Sequence, residues 1–82
     1  MRIKTYLKDL EIGSKGSIVG YDFVRGGYKG KLLSMGLTPG TEFIVIGYDL
    51  IDESIKIEVR GLVIRLCKYE ADALCIEQID EE

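Results

Sequence analysis

Hydrophobic positions change period several times along this chain, and each change predicts an element. Leu7 and Leu10 stand three apart, which predicts one helical turn closing near Gly13. The stretch GSIVGY, residues 16–21, lies between glycine-bearing turns and predicts a first short strand. The pair Gly26-Gly27 then breaks the chain. From Tyr28 the spacing becomes helical, with Tyr28, Leu32 and Met35 at i, i+4 and i+7 on one face and Leu33 widening the stripe. Gly30 weakens such a helix by about 1 kcal/mol relative to alanine. A helix this short does not survive alone in water, so packing must hold it.

The helix has a legible stop. Gly36 suits the C′ position, where a left-handed backbone would press a β-carbon into its surroundings. Leu37 then falls at C″ and Leu32 at C3, the pair that touches in a Schellman motif. Thr38-Pro39-Gly40-Thr41 suits a type II turn, with proline fixing φ at i+1 and glycine accepting positive φ at i+2. Leu32, Met35, Gly36, Leu37, Pro39 and Gly40 are therefore read as architecture.

A strand over 41–47 follows. Its run Phe43-Ile44-Val45-Ile46 predicts burial on both faces. Residues 48–54 form a polar connection. Ile55, Ile57 and Val59 alternate with Lys56, Glu58 and Arg60, a strand buried on one face. Arg60-Gly61 reads as a tight reversal, with Gly61 structural, into 62–67, where Leu62, Ile64 and Leu66 share a face. Residues 68–72 predict one helical or 3-10 turn, and 73–79 a last strand before an acidic tail that is expected to fray. The fold class expected is mainly β: a small, partly closed antiparallel barrel of about five strands, with one short helix after the first.

Composition narrows what such a fold can do. The 82 residues predict a single domain, 1–82. A chain of this size buries only about 60% of its unfolded surface, a poor base for a deep active site. The net charge of -3 argues against nucleic acid. The basic group Arg25, Lys29 and Lys31 reads as a solvated face. The N-terminus lacks the apolar core of a signal peptide, Met1-Arg2 excludes myristoylation, and the end is no prenylation signal. The longest run of large apolar residues, 43–46, falls far short of the ~20 that a membrane helix needs.

Candidate chemistry is sparse. There is no histidine, so neither a Ser-His nor a Cys-His pair can be built. Asp49 with Asp52 or Glu53 could pair, but loop acids are usually solvated. GGYKGKLLS fails the phosphate-loop pattern at Arg25 and Leu32. Cys67 and Cys75 are not a C-x-x-C pair and read as reduced, half-buried thiols. As iron or zinc ligands they would need a symmetric dimer to supply four thiolates. No cofactor is expected. What remains is surface: Tyr28, Lys31 and Ser34 along the helix, and Tyr48, Leu50 and Ile51 in the connection. Leu50-Ile51 is unusual in a polar loop. The plainer reading has it cap the open end of the barrel; the other is an apolar partner contact.

The segments LKDLEIGSKG (7–16), Gly26-Gly27, KLLSMGLTPG (31–40) and IEVRG (57–61) together resemble the FeoA family of small cytosolic accessory proteins of bacterial ferrous iron uptake. The match runs from Leu7 to about Ile79. The resemblance implies an SH3-like barrel with a helix inserted after the first strand. It implies a cytoplasmic, non-enzymatic adaptor that docks on the cytosolic part of FeoB, a permease with a GTPase domain, and meets the membrane only through it. It carries over no catalytic residues. Lys31 stands where many members have arginine, and Ser34 where an acidic residue is common. The same domain ends iron- and manganese-dependent repressors, so a stand-alone accessory domain is one alternative; a metal-sensing or metal-delivery protein using Cys67 and Cys75 is a second, and a generic ligand-binding barrel with no link to iron a third.

Overall fold

One antiparallel sheet of five strands organises the chain, in the order β4-β3-β2-β1-β5. The structure is a computed structural model and describes residues 5–22 and 27–79. Arg25, Gly26, the first residues and the tail from 80 lie outside the described residues. A 3-10 turn, Leu7–Asp9, precedes β1, Lys15–Tyr21. Then come α1, Lys29–Ser34, and β2, Glu42–Tyr48. A hairpin of β3, Ile55–Val59, and β4, Leu62–Leu66, leads to α2, Lys68–Asp72, and β5, Leu74–Ile79.

The helix stop forms as its residues predict. Gly36 has φ +82°. Its N–H donates to the Leu33 carbonyl at 3.0 Å, and the Leu37 N–H donates to the Leu32 carbonyl at 3.0 Å, the paired bonds of a Schellman motif. Leu32 and Leu37 are fully buried. The Thr41 N–H closes the next turn on the Thr38 carbonyl at 3.1 Å, with Gly40 at φ +92°. This corner is pinned to β1 at three points. The Gly40 N–H donates to the Ile18 carbonyl at 2.7 Å, and the Ile18 N–H donates to the Thr41 carbonyl at 2.9 Å. The Tyr21 hydroxyl donates to the Leu37 carbonyl at 2.6 Å.

So anchored, β2 starts in register with β1, pairing Glu42 with Ser17 and Phe43 with Gly16. A β-carbon on Gly16 would lie 2.7 Å from the Phe43 ring and 3.0 Å from the Glu77 carbonyl oxygen, so the ring needs glycine beneath it. Register shifts at Ile18/Gly20 in β1 and Val45/Gly47 in β2 bend both strands. The inner face buries Ile18, Phe43, Val45, Ile57 and Ile76, with Leu7 and Leu10 from the 3-10 turn.

Three expectations need correction. β2 is not buried on both faces: Ile44 is 38% and Ile46 41% exposed. Among the described residues no layer covers the outer face there, as an antiparallel sheet permits. Leu33 is also exposed and does not widen the buried stripe of α1. Along β4, Leu66, Ile64 and Leu62 share a face as expected, opposite Ile55, Ile57 and Val59, and burial falls along this edge strand from Leu66, fully buried, through Ile64 to Leu62, exposed. At the hairpin tip Arg60 and Gly61 both have positive φ, the signature of a two-residue type I′ turn. Finally, the ladder is open among the described residues. β4 and β5 are its edges, and α2 carries the chain from one to the other while packing on both.

Two substitutions test this corner. Gly36→Val should lower unfolding free energy by about 1–3 kcal/mol through strain at its φ. Gly16→Ala should cost about 1–3 kcal/mol by overpacking Phe43. Urea unfolding midpoints measure both, and wild-type midpoints would contradict the assignment.

Candidate functional site

Among the described residues no three cysteine or acidic side chains are placed to hold a metal ion. Both thiols are free, and Cys67 is exposed rather than half-buried as expected, because it stands at the start of α2 outside the core. Two surfaces remain, and each contains residues singled out from the sequence.

The first follows α1. Tyr28 begins the helix and packs half-buried against the core. Lys31 reaches across to α2, where its ammonium pairs with Oε2 of Glu70. Glu70 is only 3% exposed, and its Oε1 accepts the Cys67 N–H at 2.9 Å, which caps the first turn of α2. Burial pushes the Glu70 carboxyl up, but the hydrogen bonds from Lys31 and Cys67 outweigh it and hold the group below its ordinary value. The same hydrogen bond and charge raise Lys31. The Ser34 hydroxyl donates to the Lys31 carbonyl at 2.6 Å within its own helix. Lys31 is thus a brace between two helices as well as a surface cation. Glu70 was missed in the sequence, although its place three residues after Cys67 has the spacing of a capping box.

The second surface is the β2–β3 connection. Asp49 Oδ1 accepts the Ile51 N–H and Asp52 Oδ1 the Ser54 N–H, each at 2.9 Å. The Asp49 N–H donates to the Ser54 carbonyl at 2.9 Å. Arg65 of β4 braces the loop from below. Its guanidinium pairs with Asp52, lies 4.0 Å from Asp49 and donates from Nε to the Ser54 hydroxyl at 3.0 Å. Lys68 of α2 pairs with Glu53 at 3.1 Å. These acids, expected to be merely solvated, are all engaged.

The braced loop holds Leu50 and Ile51 in water, 93% and 96% exposed. They do not cap the end of the fold, because the Asx turns hold their backbone away from it and Leu7 and Leu10 fill the core instead. Tyr48 is partly architectural. Its half-buried hydroxyl donates to the Leu10 carbonyl, with the Leu7 carbonyl 3.3 Å away, and burial, then the charge of Asp9, raises its pKa. Ile46, Leu50 and Ile51 border one shallow hollow. A second, of about 410 Å³, lies between Leu50 and α2. The two surfaces meet through α2, which holds Lys31 on Glu70 and Glu53 on Lys68.

Comparison with known proteins places this geometry. The family model described as the FeoA domain matches residues 5–78. An FeoA-like protein from Clostridium acetobutylicum superposes with a TM-score of 0.85 at 28% identity, over 100% of this chain and 94% of that one. A structure described as an iron uptake regulatory protein, FeoA, gives 0.77 at 27% identity, over 94% and 99%. A manganese-dependent transcriptional repressor in complex with manganese gives 0.86 at 14% identity, a likeness of fold, and this chain spans 38% of its length. No curated protein sequence matches the chain significantly.

The Glu70 carboxyl gives a pH prediction. Its folded pKa lies below the unfolded 4.5, so its stabilising effect is fully present above 4.5 and disappears as pH falls through the folded value. Melting temperatures recorded from neutral pH downward should fall below that point. Glu70→Gln should melt lower at neutral pH and depend less on acid; an equal acid slope in the variant would contradict the assignment.

Proposed function

We propose that this chain, which belongs to the FeoA family, acts in ferrous iron uptake as a non-enzymatic cytoplasmic adaptor that docks on the cytosolic part of an FeoB-type permease. Membership of the family carries the role in iron uptake, and a relative at 27% identity is described as an iron uptake regulatory protein. The single observation that carries docking is the braced loop with Leu50 and Ile51 extended into solvent. Adjacent large apolar side chains exposed together are the kind of patch that marks a contact site. Burying both side chains is worth about 1.5–3 kcal/mol each, enough to anchor a specific contact.

Other features support the adaptor reading over an enzyme. The loop carboxylates are engaged with Arg65 and Lys68, and Glu70 with Lys31, which leaves them to build shape. Among the described residues no helix is long and apolar enough to cross a membrane, so attachment through a permease fits. Leu50 and Ile51 are the anchors of the contact, with Tyr48 supporting the loop behind them. Tyr28, Lys31 and Ser34 form the second part of the contact surface, coupled to the first through α2.

Capture of detergent-solubilised permease by the immobilised chain tests this. Leu50→Ser with Ile51→Ser should weaken capture by about 100-fold, the effect of losing roughly 3 kcal/mol of apolar burial. Its melting curve should match the wild type, because both side chains already stand in water. Undiminished capture by the double variant would remove the loop from the interface.

A further inference from the structure

The hollow between Leu50 and α2 has apolar walls made by Tyr48, Leu50 and Ile55. Two lysines border it, and each has a contact elsewhere. Lys68 is paired with Glu53, and the Lys8 ammonium lies over the Tyr6 ring, 5.5 Å from its centre. Asp49, also on the border, turns Oδ1 to the Ile51 N–H and Oδ2 toward Arg65. Asp72 differs from all of these. It lines the same hollow, is only 8% exposed, and its Oδ1 is shut off from water with no hydrogen-bond donor, although the charge of Lys68, one turn back on α2, reaches it. An orphaned carboxylate oxygen in the interior calls for a donor, since native proteins satisfy nearly all such groups. Asp72 also ends α2, beside carbonyls of partial negative charge, where a cation is the favoured neighbour. No three acidic or thiol groups converge there, so a bare metal ion does not fit. A donor carried on a partly apolar body does.

We propose that this hollow is a socket for a basic side chain, lysine or arginine, presented by the docked partner. The aliphatic stem lies along Tyr48, Leu50 and Ile55, as such stems do on apolar surface, and the Asp72 side chain turns its closed-off oxygen into the hollow to accept from the cationic head. Leu50 belongs both to the socket wall and to the exposed tip, so one partner segment can cover the tip and fill the socket. The proposal rests on the docking reading for its biological setting, while the socket itself can be tested without the permease.

The probes are Nα-acetyl-arginine amide and Nα-acetyl-lysine amide, with uncharged Nα-acetyl-norleucine amide as the comparison, titrated into the isotope-labelled chain and followed by amide NMR. The cationic probes should give saturable shifts at Leu50, Ile55 and Asp72, and norleucine amide should bind about tenfold more weakly or worse. Asp72→Asn should abolish the difference between charged and uncharged probes, whereas Glu58→Gln, on the outer face of the sheet, should keep it. No saturable shift with either cation, or equal binding of norleucine amide, overturns the socket, and this comparison on the wild type stands even if Asp72→Asn misfolds. In the permease assay Asp72→Asn should lower capture about tenfold. Equal capture by wild type and Asp72→Asn overturns the socket and leaves docking intact. Cation binding without any permease capture does the reverse.

Discussion

A six-residue helix cannot hold itself in water, and α1 is held by the corner that ends it. The Schellman bonds at Gly36 and Leu37 drive Leu32 and Leu37 into the core. Three further hydrogen bonds fix the same corner on β1. The sheet depends on this junction, because it sets where β2 begins and hence which residue lies over Gly16. With Phe43 seated there, the alternation along β2 and the pairing with β3 follow from strand geometry.

The second constraint is electrical. α2 has five residues and sits between the two edge strands. It keeps its place by packing and by two ion pairs, one to α1 and one to the β2–β3 connection. Glu70 is the more consequential group, since it caps α2 and meets Lys31 while almost wholly buried. The helix surface and the loop surface therefore share a support. A partner that alters one pair acts on the element that positions the other.

Local backbone chemistry was the legible part of the sequence. Gly36, Pro39, Gly40 and Gly61 each mark a turn whose geometry admits few other residues, and family motifs sit on those same turns. The β3 alternation was equally plain. What depends on distant contacts was hidden. Ile44 and Ile46 lie in an unbroken apolar run, and only the absence of a covering layer decides that they face water. Leu50 and Ile51 look like a cap until the Asx turns are seen to hold them away. The pairing of Lys31 with Glu70 needs the two helices brought together, which no local pattern states. Closure of the barrel was overread, because short strands disclose their number more readily than how their edges meet.

The anchored corner also fixes the length of the chain that passes through it. Between Leu37 and Thr41 a single added residue would slide β2 by one position and turn Phe43 and Val45 out to water. The corner between α1 and β2 therefore keeps a fixed count of residues.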